Sequence, residues 1–216
     1  MGIYHWISNN YIEIFGAVTG ILYVFLEIKQ NLWLWSVGII TSAVYIWVFL
    51  TGKLYADMSL QVYYLAISAL GWFWWIRRKS GRVGEGERGR INDSGTEGQI
   101  DSETGRLKVT RIKLKTGIIL TVVFSLLYIV LWVGLDRFTD SPVPACDSFI
   151  TSLSIIATWM LARKIYEHWY LWIVVDAFAS VLFFTRHLYP TVILYIVYCA
   201  LSFEGLIEWR KSLTKQ

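Results

Sequence analysis

Trp169, Trp172 and Asp176 follow one another at i, i+3 and i+7. That spacing puts all three on one face of a helix. Two indoles beside a carboxylate make a receptor for a cation. The ring quadrupole attracts positive charge by ~0.5–2 kcal/mol, more away from water, and an ionised carboxylate accepts hydrogen bonds without donating any. The plainer alternative is a structural hydrogen bond from Asp176 to a neighbouring helix, with the tryptophans anchoring an interface. A second polar set, Asp57, Gln61 and Tyr64, falls at i, i+4 and i+7. Asp57 is close enough to the end of its run to cap it or to pair with Lys53. Gln61 is either a ligand contact or an interhelical bond. Glu204 and Glu208 read as salt-link partners of Arg210 or Lys211, and Glu13 and Glu27 as end residues that reach an interface.

These groups sit in apolar surroundings. Of 216 residues, 56% are hydrophobic and 17% charged, with 12 Trp, 13 Tyr and 11 Phe; a soluble domain carries roughly 25% charged residues. Crossing a ~30 Å hydrocarbon layer takes about 20 mostly apolar residues per helix. Seven runs fit, at about 11–28, 33–50, 55–76, 116–135, 148–162, 169–185 and 188–207. Lipid leaves helices or closed barrels as the options, and these runs are too long and too uniformly apolar for barrel strands. The fold class expected is an all-α integral membrane protein with seven transmembrane helices. Asp176 then lies about seven residues, ~10 Å, inside the sixth span, where an ionisable group is costly and needs a reason. The opening Met-Gly-Ile-Tyr-His-Trp lacks a basic n-region and a cleavage site, so the first span is expected to stay in the protein.

Seven spans put the termini on opposite sides. Segments 29–32, 77–115, 163–168 and the tail after 207 hold 17 of the 20 Lys and Arg; the opposite set holds only Lys53, Arg137 and Arg186. Positive residues stay inside, so the C-terminus and the long loop are expected in the cytoplasm and the N-terminus outside. The net charge of +4 is a topology signal, and no soluble basic module suggests nucleic acid. The 77–115 stretch reads as a polar cytoplasmic linker. Its Gly84-Glu85-Gly86-Glu87-Arg88-Gly89 matches G-x-G-x-x-G without the strand and helix that make it a dinucleotide site, and Asn92-Asp93-Ser94 is discounted because it would lie in the cytoplasm. Its end, Lys108 to Lys115, alternates basic and apolar residues and suits anionic headgroups. The chain has no Walker motif, no hydrolase signature, and His5, His168 and His187 are scattered. Cys146 and Cys199 are expected unpaired. No cofactor or metal is expected, and no enzyme activity.

The chain also resembles itself. Thr51-Gly52-Lys53-Leu54-Tyr55 aligns with Thr185-Arg186-His187-Leu188-Tyr189, and the same offset pairs Tyr64 with Tyr198, Ser68 with Ser202, Gly71 with Gly205 and Trp75 with Trp209. A three-residue shift upstream would pair Trp35 with Trp172 and set Ile39 against Asp176. The organisation expected is a first three-helix repeat at 11–76, the linker 77–115, a linker helix at 116–135 and a second three-helix repeat at 148–207. An odd number of spans between copies makes the repeat parallel, with a site between the halves and alternating access by rocking.

The run Leu54-Tyr55-Ala56-Asp57-Met58-Ser59-Leu60-Gln61-Val62-Tyr63-Tyr64, then Gly71-Trp72-x-x-Trp75, resembles the PnuC-type vitamin transporters. So does Asp147-Ser148 with Arg163-Lys164 and Trp169-x-x-Trp172. The resemblance implies a 3+1+3 helix fold similar to the SWEET transporters, a bacterial inner-membrane location and a homotrimer. It also implies uptake of nicotinamide riboside by facilitated diffusion, with thiamine or riboflavin as substrates of sister groups. It places the substrate site on Trp169, Trp172 and position 176, with Gln61 as the family's tract glutamine; Tyr64 joins them by its position beside Gln61. Position 176 departs from the pattern, being Asp where nicotinamide riboside carriers have Asn. An acceptor-only group suits a cation with donors, which describes both thiamine and nicotinamide riboside. Two other readings are a proton-coupled carrier with Asp176 as relay, and a membrane receptor or assembly protein that does not transport.

Overall fold

The computed structural model describes residues 11–51, 55–76, 108–139 and 142–214. Lys53, the Asp57 side chain, the 84–89 glycine run and Asn92 lie outside the described residues. Seven helices cover the seven expected runs: α1 Tyr11–Ile28, α2 Trp33–Thr51, α3 Tyr55–Ile76, α4 Leu114–Phe138, α5 Pro144–Ala162, α6 His168–Thr185 and α7 Tyr189–Thr214. Five of them, α2, α4, α5, α6 and α7, are long and apolar enough to cross a membrane. In α1 the apolar stretch is Ile14–Ile28. In α3 the shortfall has a compositional reason, since Asp57, Gln61 and a high content of Tyr and Trp lower its hydropathy. α5 begins at Pro144 rather than near 148. Proline is suited to a first helical turn, where its fixed φ fits and the missing N–H would have no partner.

Three helices stop in one way. Gln30, Lys164 and His187 have φ of 50°, 53° and 59°. Gln30 N bonds Glu27 O at 2.9 Å and Asn31 N bonds Leu26 O at 2.9 Å; Lys164 N bonds Leu161 O at 2.8 Å and Ile165 N bonds Met160 O at 2.9 Å. His187 N and Leu188 N repeat the pattern on Phe184 O and Phe183 O. Each is a Schellman ending, usually made with glycine in the left-handed position. Here longer side chains hold that position, and two of them reach each other: Lys164 Nζ lies 3.4 Å from Gln30 Oε1.

Six helices close a ring. α1 packs on α2, α2 on α3, α3 on α5, α5 on α6, α6 on α7 and α7 back on α1, while α4 packs on α5 alone. α4 has no buried residue in its membrane-length window. The core sits where α1, α3, α5 and α7 end, around Ile28, Trp35, Trp75, Leu161, Trp169 and Trp209. The chain entering α4 is tied to this end. Thr110 N donates to Lys164 O at 3.0 Å, Tyr166 N to Thr110 O at 2.9 Å, and Ile112 N to the Glu167 carboxylate at 2.9 Å. Val109 is buried while Arg111 and Lys113 are exposed. The segment 108–113 is thus held to the core at Val109 and the Thr110 backbone, and Leu114 and Lys115 already belong to α4.

Candidate functional site

Two tryptophan–glycine junctions set the frame. A Cβ on Gly71 would meet the Trp35 ring at 2.5 Å, and a Cβ on Gly205 would run into the Trp169 ring. Trp35 stands edge-on to Trp75, with centroids 5.4 Å apart and planes at 89°; Trp169 stands edge-on to Trp209, at 5.8 Å and 82°. Each second tryptophan donates to a neighbouring helix: Trp75 Nε1 to Ala162 O at 3.2 Å, Trp209 Nε1 to Glu27 O at 3.1 Å. Only glycine leaves room for an indole at this depth. The partner of Trp35 is thus Trp169, at the unbroken offset of 134 seen between Gln30 and Lys164. The three-residue shift expected from sequence is wrong, and with it the match of Ile39 to Asp176. The residue opposite Asp176 is Ser42, and the residue opposite Trp172 is Gly38.

A cavity of about 440 Å³ lies between the helices of the ring, and Gln61, Tyr64, Trp169, Trp172 and Asp176 all line it. The two polar sets read from sequence, one on α3 and one on α6, therefore meet across one space. Asp176 is 4% exposed, and Ser202 Oγ on α7 donates to its Oδ2 at 3.2 Å. Trp172 is half-buried, with its ring at the wall. Trp169 borders the cavity but is wholly buried in the core. Among the described residues, the indole N–H groups of Trp169 and Trp172 have no hydrogen-bond partner, nor does the hydroxyl of Thr41, which also lines the cavity. A buried donor without a partner costs ~1–3 kcal/mol.

Sequence reasoning missed several walls. Ser42, Tyr195, Tyr198 and Ser202 face the same space. Constant-offset alignment would have found Ser42 and Tyr195, since Tyr195 stands opposite Gln61. Glu27 is the largest departure. It was expected to reach an interface, but it is 2% exposed, borders the cavity and pairs with His168 at 2.9 Å. Of the outlying acids, Glu208 has the expected salt link, with Lys211 Nζ 3.0 Å away at an exposed position. Both cysteines are free, and the described residues hold no cluster of metal-ligating side chains.

The family described as nicotinamide mononucleotide transporter matches residues 10–211. The chain belongs to that family. It is a family of membrane transporters, not of enzymes. Among curated relatives, the nicotinamide riboside transporter PnuC of Escherichia coli (strain K12) is 25% identical over 214 residues, covering 94% of this chain and 86% of the relative. The riboflavin/roseoflavin transporter RibM of Streptomyces davaonensis is 23% identical over 197 residues, covering 91% and 83%. The solved crystal structure of the vitamin B3 transporter PnuC superposes with a TM-score of 0.70 at 23% identity, over 99% of this chain and 86% of that one. This likeness establishes the shared fold.

Proposed function

We propose that the chain carries nicotinamide riboside across a bacterial inner membrane by facilitated diffusion. In this reading α1–α3 (within 11–76) and α5–α7 (within 144–214) are the two halves of a 3+1+3, SWEET-like fold, and α4 is the linker helix. The segment 77–115 and the C-terminus lie in the cytoplasm, the N-terminus lies outside, and the assembly is a homotrimer. The closed ring of six helices with α4 attached to α5 alone supports the halves. The clustering of Lys and Arg supports the orientation.

The observation that carries the substrate class is the wall formed by Trp172 and Asp176, with Gln61 and Tyr64 opposite and Trp169 at its base. A pyridinium ring against the Trp172 face gains from the indole quadrupole. The Asp176 carboxylate, held on one oxygen by Ser202, offers the other to an amide N–H or ribose hydroxyl. Gln61, able to donate and accept, reads the remaining polar edge. Ribose and carbonyl oxygens are acceptors of the kind that the unpaired indole N–H groups lack.

One observation favours a second reading. Asp176 accepts only, which suits the thiazolium and the aminopyrimidine donor of thiamine equally well. Calorimetry on the purified chain separates the two, with nicotinamide riboside and thiamine titrated separately. Tight binding of nicotinamide riboside supports the first reading, and tight binding of thiamine alone replaces it with the second. Uptake in liposomes without substrate-driven proton movement supports facilitated diffusion over proton coupling.

A further inference from the structure

Glu27 and His168 join two helices that are not neighbours in the ring, with α7 between them. α1 and α6 do not pack on each other, yet Glu27 Oε1 lies 2.9 Å from His168 Nε2. The pair sits where the cavity meets the core, for Glu27 borders the cavity while the imidazole is packed between Trp169 and Trp209, each at 4.7 Å between centroids. A second tie, Lys164 Nζ to Gln30 Oε1, joins the ends of α5 and α1, which also do not pack on each other. At the other end two polar ties join helices that already pack together: Arg186 to Asp147 at 3.4 Å, and Tyr45 to Ile12 O at 3.4 Å. An exit that runs between Glu27 and His168 breaks this bond.

The geometry also counts protons. His168 Nδ1 lies 2.6 Å from Ile165 O. A carbonyl oxygen only accepts, so Nδ1 carries a hydrogen. Nε2 and Glu27 Oε1 then share a single proton, whether written as imidazolium and carboxylate or as imidazole and carboxylic acid. Adding a second proton leaves a neutral acid against an imidazolium. Removing the shared one leaves a carboxylate facing a lone pair. Both changes weaken the bond.

The rest of the molecule shows what this junction looks like without the proton. At the offset of 134, Glu27 corresponds to Leu161 and His168 to Leu34. Both leucines are wholly buried in the same core. The fold therefore builds the equivalent junction from two leucines, and packing does not call for an acid and an imidazole here.

We propose that Glu27 and His168 form a one-proton latch that closes the base of the cavity and must open for solute to pass. They are gating residues, and substrate contact lies with Trp172 and Asp176. Transport through this latch rests on the carrier reading above, but opening can be followed without substrate. The ionisable groups facing the pair are Tyr23 on α1 and Asp176 on α6. Lys164 is linked to α1 through Gln30, while α2, α5 and α7 contribute Leu34, Trp35, Leu161 and Trp209 to the core beside it.

The test uses the full chain in detergent with Cys146→Ala, Cys199→Ala and Thr158→Cys, the last on the cavity wall one turn from the end of α5. Maleimide labelling of residue 158 is timed across pH in this background and in the same background with Glu27→Leu and His168→Leu. The ratio of the two rates cancels the ionisation of the thiol itself. The latch predicts a ratio lowest at intermediate pH and higher by about threefold or more on both the acid and alkaline sides, as the shared proton is doubled or lost. A ratio flat with pH would overturn it. Should the leucine pair fail to fold, Glu27→Gln with His168→Gln replaces it. Two amides donate and accept without a titrating proton, and the same ratio is expected. Calorimetry with nicotinamide riboside on the unmodified chain runs alongside. Absent binding there would remove the substrate reading and leave the labelling result to decide the latch.

Discussion

The two tryptophan–glycine junctions and the cavity beside them obey different rules. At the junctions the two sets of residues match. Trp35, Gly71 and Trp75 reproduce Trp169, Gly205 and Trp209 in contact, ring angle and cross-helix bond. One to three turns along the same helices the two sets diverge. Gly38 stands opposite Trp172, Ser42 opposite Asp176, and Gln61 opposite Tyr195. Close packing tolerates few changes of volume, so the frame stays alike on both sides. A ligand smaller than the ring of helices has no twofold symmetry of its own, and the cavity's walls need not match.

The comparison can be broken first at the frame. Gly71→Val and Gly205→Val each drive a branched side chain into an indole that has nowhere to go. Overpacking of a core typically costs ~1–3 kcal/mol, occasionally more. Both variants are expected to lose folded protein to a similar degree, read by size exclusion and thermal unfolding of the purified chain. A large loss in one and none in the other would mean that the junctions are alike in geometry only.

The next effect is at the wall. Trp172→Gly gives α6 the residue that α2 carries at Gly38. Removing one aromatic face from a cation costs about 1–2 kcal/mol, roughly a tenfold loss of affinity. Calorimetry on the folded, monodisperse variant should show that loss. The smallest effect separates the two serines. Ser202→Ala removes the donor on Asp176 and should weaken binding by about threefold to tenfold, in line with ~1 kcal/mol for one hydrogen bond. Ser68→Ala, opposite it, has no carboxylate to hold and should change affinity by less than about twofold. Equal effects would show that Ser202 acts as a packing residue.

Much of the fold was legible because membrane helices announce themselves through length and apolarity, and the seven runs carry the seven helices. The α5 start was misplaced because Cys146 and Asp147 made its first turn look like loop. The repeat was legible in Gly71 and Gly205, since a glycine before an aromatic cluster marks a close approach. Its register was not, because tryptophan recurs often enough in this chain for Trp35 to find a false partner in Trp172. Gln61, Tyr64, Trp172 and Asp176 reach one cavity because each stands out as polar or amphipathic in an apolar run. Glu27 and His168 stayed hidden because they are 141 residues apart and their meeting across the ring depends on how the helices close. The path of 108–113 is similar, because it depends on the Thr110 backbone meeting Lys164 and Tyr166 more than 50 residues along the chain.

The central claim is that a like-built frame holds an unlike site, with Asp176 as its charged anchor. Titrating nicotinamide riboside into the wild-type chain, Asp176→Ala and Ser42→Ala by calorimetry tests it most directly. The account predicts a fall of about tenfold to a hundredfold for Asp176→Ala, as for the loss of a charged hydrogen-bonding group, and a change of less than about threefold for Ser42→Ala, as for a neutral one. Equal losses in the two variants, or wild-type affinity in Asp176→Ala, would contradict it.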